Sequence, residues 1–505
     1  MSTLSELLPA GGGGQNQVEF TASGTLPNGK PVILKSDGTV EVVEETTTSV
    51  SESIPSGSEI VFRSIATEYV SVAFDPNNAS KFILAYKDFG NGTYDGLVMM
   101  GTISGSSISF GTAVTFDNSQ ISMPHIAFDP NNTNKFVVAY GGYNDKLRAI
   151  VGTISGTSIS FGSYAELGTA QRTVRGLTMD ANTAGKFIVL YTDYGNSGYT
   201  TLVVGTISGT SISYGTPAVA YTSTTYAGGV KFDPNTAGKF VVVYMGSPSS
   251  NDYGVAKVGT VSGTSISLGT AYVFQSDDCQ DMTLDFDPST TDKFVVAYRS
   301  RPSPWHGAAR VGTISGTTIS FGTKVTFDTT RVQKVSMAFD AKNTNTGKLA
   351  IFYTDADNGM VGKAVVGTVS GTSISFGTPT SIYSGYLFST ALAFDPANQG
   401  RFVMAYIDRY SSRYGRIKLG QMGYTNTTTN MTTSNLLGIS AEAAASGATA
   451  KIDTWGGINE SQSGLTIASD YYVQGDGTLS TTSTAPAQQI GKAVSATTIN
   501  MRDLT

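Results

Sequence analysis

Between residues 50 and 430, apolar positions fall into two kinds of segment that alternate along the chain. In the first they are continuous. The string "AFDPNNTNKFVVAY" at 127–140 has relatives beginning near 73, 178, 231, 285, 338 and 393. An apolar run of strand length such as "KFVVAY" predicts a strand covered on both faces. In the second kind they alternate with polar residues: "GTISGTSISFG" at 152–162 returns at 101, 205, 259, 312 and 367. There Ile154 and Ile159 flank Ser155-Gly156-Thr157-Ser158, and Gly at the first central position of a two-residue loop favours a type II′ turn. Asp129-Pro130 opens a second turn, in which Asp accepts local backbone hydrogen bonds and Pro presets φ.

Each repeat therefore predicts four strands: a short one ending in Phe-Asp-Pro, the "KFVVAY" strand, one ending in Val-Gly-Thr-Ile, and the "SISFG" strand. Seven copies of a four-stranded antiparallel unit of about 50 residues predict an all-β, seven-bladed β-propeller. A solenoid would leave two open ends and need capping repeats. The seventh copy runs through "RFVMAY" at 401–406 and "RIKLGQMG" at 416–423, then ends before any match to "SGTSISF". Because Ser56–Phe62 aligns with Ser155–Phe161, the missing strand is expected from ahead of the first repeat. Such a splice closes the ring and satisfies edge hydrogen bonds.

Composition narrows the class. With a formal net charge of −6 over 505 residues and no basic stripe, phosphate-dominated nucleic-acid binding is excluded. Cys279 is the single cysteine, which leaves no disulfide framework. Neither CxxC nor a His cluster offers a structural metal site, so no metal and no cofactor is expected. No apolar run suits membrane insertion, and "MSTLSELLPAGGGG" lacks the basic and apolar regions of a signal peptide. Its Leu4, Leu7 and Leu8, ahead of four glycines, read as a docking peptide on a flexible joint.

Proton-transfer chemistry has few carriers. His125 and His306 are the two histidines, and neither G-x-S-x-G nor HExxH occurs. The Asp repeated at 75, 129, 180, 233, 287, 340 and 395 is explained by its turn. "DADNG" at 355–359 lacks the spacing and the closing Glu of a calcium loop. The chain is read as non-enzymatic, with no catalytic residue.

Differences among the repeats are more informative. In a four-stranded blade the first-to-second and third-to-fourth loops share one face, here the near-invariant Asp-Pro and Ser-Gly-Thr-Ser turns. The opposite face differs in every copy. It gathers Tyr94, Tyr143, Asp145, Tyr194, Tyr199, Asp252, Tyr253, Arg301, Trp305, His306, Asp355, Arg409, Tyr410 and Arg413. Rigid aromatic area combined with directional hydrogen bonding suits recognition, so these residues form the expected ligand-binding set.

The two ends add a context. Residues 436–505 contain Gly464-Leu465-Thr466, Tyr471-Tyr472-Val473, Asp476-Gly477-Thr478-Leu479-Ser480 and a closing Ile490-Gly491-Lys492-Ala493-Val494-Ser495-Ala496-Thr497-Thr498. This segment resembles the C-terminal module of virion structural proteins of tailed bacteriophages, fibre-like appendages included. The string "ASGTLPNGKPVILKSDGTVEVV" at 22–43 resembles the opening of such proteins. The propeller lacks a WD signature, Asp boxes and a sialidase-like arginine set, and is matched to no family. The resemblance implies a virion protein assembled in the host cytoplasm and released by lysis, a route that needs no signal peptide. It also implies attachment to other virion proteins through the terminal domain and N-terminal peptide, a homotrimer as is usual for phage fibres, and a host-surface glycan or protein as the partner of the propeller.

Both ends place short alternating strands around an Asp-Gly-Thr turn, Val32-Ile33-Leu34 before Asp37 and Tyr471-Tyr472-Val473 before Asp476. The expected organisation is an anchor peptide and Gly-rich linker at 1–19, one terminal β-domain from 20–49 and 431–505, and the propeller at 50–430. Two other functions stay open at this stage. One is a head or tail decorating or spacer component without a receptor role. The other is a glycan-degrading enzyme with paired carboxylates.

Overall fold

The computed structural model describes residues 16–90, 92–224, 227–246, 252–301, 305–342, 347–409 and 413–501. Leu4, Leu7, Leu8, the four glycines after them, and Tyr410 lie outside the described residues. The chain divides into two compact units. One holds the described residues up to Val50 and from Thr425 onward; the other is Ser51–Tyr424. Both are built from antiparallel strands, and the described residues include no α-helix.

In the larger unit each repeat forms an antiparallel sheet, and the long strand Ala165–Met179 runs from one such sheet into the next. Ser122–Phe128 pairs with Lys135–Gly141, which pairs with Lys146–Ser155, which pairs with Ser158–Phe161. The turn before Ser158 places Gly156 at φ +62, as its two-residue loop requires. The outermost strand is finer than the sequence suggests, because it comes in two pieces. Asp95–Ser104 pairs with Ser107–Phe110 at one end and with Val114–Asp117 at the other. The break falls at Gly111, whose amide donates to the Met100 carbonyl at 2.9 Å.

The repeated aspartates are buried, and Asp129, Asp180 and Asp340 tie neighbouring repeats together. Asp129 Oδ1 accepts the Asn131 amide at 3.0 Å, and its Oδ2 accepts the Gly185 amide of the next repeat at 2.9 Å. Asp180 serves Asn182 and Gly238 in the same way, and Asp340 serves Lys342 and Gly400. Asp180→Ala should therefore cost about 2 kcal/mol, since it leaves a buried amide without an acceptor. Urea unfolding measures this; a loss below about 0.5 kcal/mol, the scale of an ordinary surface change, would show that the tie is dispensable.

Among the described residues, the inner strands pack side by side in chain order: Thr67–Phe74, Ser122–Phe128, the second half of Ala165–Met179, Ala227–Phe232, Cys279–Phe286, Val332–Phe339 and Leu387–Phe394. Leu387–Phe394 also packs against Thr67–Phe74, where the Val70 amide donates to Ser389 Oγ at 3.2 Å.

The sheet that begins with Leu387–Phe394 continues through Arg401–Asp408 and Gly415–Gln421 and ends on Ile60–Arg63. The register corrects the alignment drawn from sequence. Ile60 faces Ile417 and Arg63 faces Gly415, so Phe62 covers Gly415 as Phe116 covers Gly96. Phe62 thus takes the place of Phe116, not that of Phe161. Both outer segments alternate around a Phe, and only the glycine beneath the ring distinguishes them. The Ser158–Phe161 place is filled by Ser53, bridged to Gln421, and by Ser56, whose amide donates to the Leu419 carbonyl at 2.9 Å.

In the smaller unit, strands from both chain ends share one sheet, in the order Gln17–Thr21, Thr449–Asp453, Leu436–Ser440, Pro31–Leu34, Val40–Val42. A second sheet is built wholly from C-terminal strands between Ile458 and Asn500. The two Asp-Gly-Thr turns are alike: Asp37 Oδ1 accepts the Thr39 amide and hydroxyl at 2.9 and 2.6 Å, and Asp476 Oδ1 accepts those of Thr478 at 2.9 and 2.7 Å. These bonds to Thr hold both carboxyls below the ordinary carboxylate range.

Candidate ligand-binding mouth of the cavity

These inner strands line a cavity of about 970 Å3. Near its start, where it pairs with the residues leading into the non-repeating loops, each inner strand breaks register with its neighbour. The breaks lie between Glu68 and Val70, Ser122 and His125, Val174 and Gly176, Ala227 and Gly229, Gln280 and Thr283, Gln333 and Ser336, and Leu387 and Ser389. A bulge re-aims a side chain. Here the bulges set Tyr69, Met123, Arg175, Gly228, Asp281, Lys334 and Phe388 at the cavity wall. Tyr69, Met123, Asp281 and Lys334 hold φ of 48, 42, 48 and 52, a left-handed region that disfavours residues with a Cβ and whose outliers concentrate at ligand clamps.

Two aromatic and cationic clusters stand around this mouth. In the first, Phe89 and Tyr94 lie 4.7 Å apart, and Lys87 Nζ sits 3.9 Å from the Tyr94 ring and 5.7 Å from that of Tyr69. Tyr69 meets Phe388 edge-on at 5.4 Å, and Arg409 lies 5.8 Å from Phe388 and 5.1 Å from Tyr386. Glu68 anchors the cluster through Lys87 at 3.0 Å and Arg413 at 2.7 Å. In the second, the Trp305 ring lies 4.6 Å from the Arg299 guanidinium and 4.4 Å from that of Arg301. Asp278 pairs with Arg301 at 3.4 Å; Asp281 pairs with Arg299 at 3.5 Å, and Gln280 accepts a hydrogen bond from Arg299. Each cation–π contact contributes roughly 0.5–1 kcal/mol at such sites, so the rings are held before any ligand arrives.

Titration adds little proton-transfer capacity. Burial first, and Arg175 second, push the His125 imidazole down to about 4, so it is neutral near pH 7 and a weak base. Burial raises the Tyr69 hydroxyl.

The structure sorts the residues expected from sequence. Tyr94, Trp305, Arg301, Arg409 and Arg413 belong to the two clusters. Tyr143 (54 % exposed) and Tyr194 (49 % exposed) stand on short 3-10 turns. Asp145 accepts the Ser122 hydroxyl at 2.9 Å. Tyr199, Tyr253 and His306 each begin a strand, and Tyr253 packs against a hydrophobic cluster. The Asp252 carbonyl accepts the Cys279 amide at 2.9 Å. Asp355 departs from expectation. It is fully buried, pairs with Lys363 at 2.6 Å and accepts the Asp357 amide at 3.1 Å, so its carboxylate holds its own loop instead of facing a ligand.

Sequence reasoning missed the bulged residues and Gln280, and it placed Lys87 and Arg299 in variable-face loops without singling them out. A signal was available. The inner strands end in similar strings, "SVAF", "HIAF", "SMAF" and "ALAF", while the residues just before them share nothing. That divergence marks the mouth.

No protein-family model and no curated protein matches the sequence. Among solved structures, the BP39L lectin from Burkholderia pseudomallei superposes with a TM-score of 0.52 at 10 % identity, over 72 % of this chain and 98 % of that one. Sqt1 from Chaetomium thermophilum, bound to the N-terminus of ribosomal protein L10, gives 0.45 at 10 % identity, over 74 % and 90 %. The larger unit has a β-propeller-like fold.

Proposed function

We propose that the chain is a non-enzymatic recognition protein of a tailed-bacteriophage virion, a tail fibre or similar appendage. Its larger unit is a seven-bladed propeller closed by the Ile60–Arg63 strand and displays its mouth to a host-surface glycan or protein. The observation that carries this reading is the contrast between ends of one repeat. Asp-Pro and Ser-Gly-Thr-Ser turns recur as scaffold, whereas the other end, whose loops differ from repeat to repeat, collects two pre-ordered aromatic and cationic clusters. Pre-ordering lowers the entropic cost of binding, and several copies on a particle would raise weak affinity by avidity. The phage-like ends support attachment of the smaller unit to other virion proteins, as a homotrimer in the manner of fibres.

Glycoside hydrolysis needs two carboxylates about 5–10 Å apart. Among the described residues the cavity is lined by one, Asp281, and Arg299 pairs with it. That favours binding over cleavage. The test is saturation binding of the full chain to a panel of bacterial cells and extracted surface polysaccharides. Saturable binding to at least one is expected, weakened about tenfold by Trp305→Ala, a typical loss for an aromatic anchor worth about 1.4 kcal/mol. Binding to none, or equal binding by the variant, would overturn the reading.

A further inference from the structure

The two clusters at the mouth differ in extent. The Trp305 cluster offers one ring, whereas the other offers five, linked in succession where the first and last repeats meet. Phe89 and Tyr94, on either side of the turn that joins Lys81–Asp88 to Asp95–Ser104, lie 4.7 Å apart. Lys87 Nζ connects Tyr94, at 3.9 Å, to Tyr69, at 5.7 Å. Tyr69 meets Phe388 of the neighbouring inner strand at 5.4 Å. Arg409 then connects Phe388, at 5.8 Å, to Tyr386, at 5.1 Å, and its amide donates to the Tyr386 carbonyl at 2.9 Å. None of the five rings is buried, and Phe89 is 41 % exposed. Contiguous exposed apolar area of this kind marks an interaction site.

We propose that this row holds an internal stretch of a linear polysaccharide, with several sugar residues laid in succession between Phe89 and Tyr386. The inference rests on the recognition reading above and names both the ligand class and the part of the ligand that is read. One sugar ring covers one or two aromatic rings, so a site for a single terminal residue would not need five. Phe89 and Arg409, toward the two ends of the row, are exposed, so a chain can continue past both. A sugar face presents C–H bonds to the negative face of an aromatic ring, while the hydroxyls at its edge need polar partners between the rings. Lys87 and Arg409 stand there. Glu68 holds Lys87 at 3.0 Å and Arg413 at 2.7 Å, so these donors are set before binding and one carboxylate offsets part of their charge. Nucleic acid fits poorly, because it needs many phosphate-directed cations.

The experiment takes the polysaccharide bound most tightly in the panel above, cuts it by partial acid hydrolysis, sorts the fragments by length, and titrates the full chain with each by calorimetry. Hexasaccharides should bind at least tenfold more tightly than disaccharides. Phe89→Ala and Arg409→Ala should each weaken the hexasaccharide several-fold, and because both side chains are exposed, thermal unfolding should not change. Equal affinity for disaccharide and hexasaccharide, or a hexasaccharide indifferent to both substitutions, would overturn the inference. So would binding to cells when no extracted polysaccharide binds, since the receptor would then be a protein. In each of these cases, binding that is still sensitive to Trp305→Ala leaves the recognition reading standing. Binding to no cell and no polysaccharide removes both.

Discussion

Phe62→Ala should destabilise the larger unit by about 4 kcal/mol, as large a loss as truncating any buried core aromatic. Phe62 reaches the last sheet from the beginning of the chain. It is 6 % exposed, lies 5.5 Å from Tyr86 and 6.1 Å from Phe110, and covers Gly415. Tyr406 and Arg416, on the strands it joins, both bond to Glu59 just ahead of it. Phe116→Ala supplies the comparison, because Phe116 covers Gly96 within a sheet made of consecutive strands. Equal losses in urea unfolding would mean that the splice strand carries the same load as a strand local in sequence. A cost below about 1 kcal/mol for Phe62→Ala, against the 3–5 typical of a buried Phe, would mean that the ring is not docked and that the sheet beginning with Leu387–Phe394 lacks its last strand.

Gly205→Val should cost about 3 kcal/mol, the upper end for overpacking. The tip of the Phe187 ring covers this glycine, and a Cβ there would stand 2.0 Å from its Cζ. Phe187 is fully buried among Val137, Leu147 and Val203, so it has nowhere to move. Corresponding glycines at 101, 152, 259, 312 and 420 are covered by a Phe in the same way. The reason for the recurring Val-Gly-Thr is thus the neighbour, since backbone conformation there is ordinary strand. Gly209→Ala separates the two effects: φ is +64 with open space around it, so only left-handed strain of about 1 kcal/mol applies. If both substitutions cost the same, the packing explanation of Gly205 fails.

The repeat made much of this fold legible. Continuous and alternating apolar segments place the second, third and outer strands of every sheet, and turn chemistry places the Asp and Gly residues between them. What escaped depends on partners distant in sequence. Ser56–Phe62 resembles Ser155–Phe161 in its serines and alternation, yet the glycine under the ring sets its register, and that glycine is Gly415. Bulges escaped for a related reason: one extra residue in Thr67–Phe74 or Val332–Phe339 leaves no mark in a single strand, because it exists only relative to the strand alongside.

The candidate site was half legible. Loop composition pointed to Trp305, Arg301 and Arg409, which do cluster. It also pointed to Asp355, whose polar neighbours suggested exposure although it ends the buried strand Lys348–Asp355. Composition cannot tell an acid facing water from one closing its own turn; the Lys363 ammonium at 2.6 Å does.

Recognition at the non-repeating mouth is tested most directly by the cryo-electron-microscopy map of the full chain with the polysaccharide that binds it most tightly. The expected result is ligand density at the cavity mouth, in contact with Tyr69 and Phe388 or with Trp305. Density on the Asp-Pro and Ser-Gly-Thr-Ser turns, or in the clefts between neighbouring sheets with the mouth empty, would contradict it.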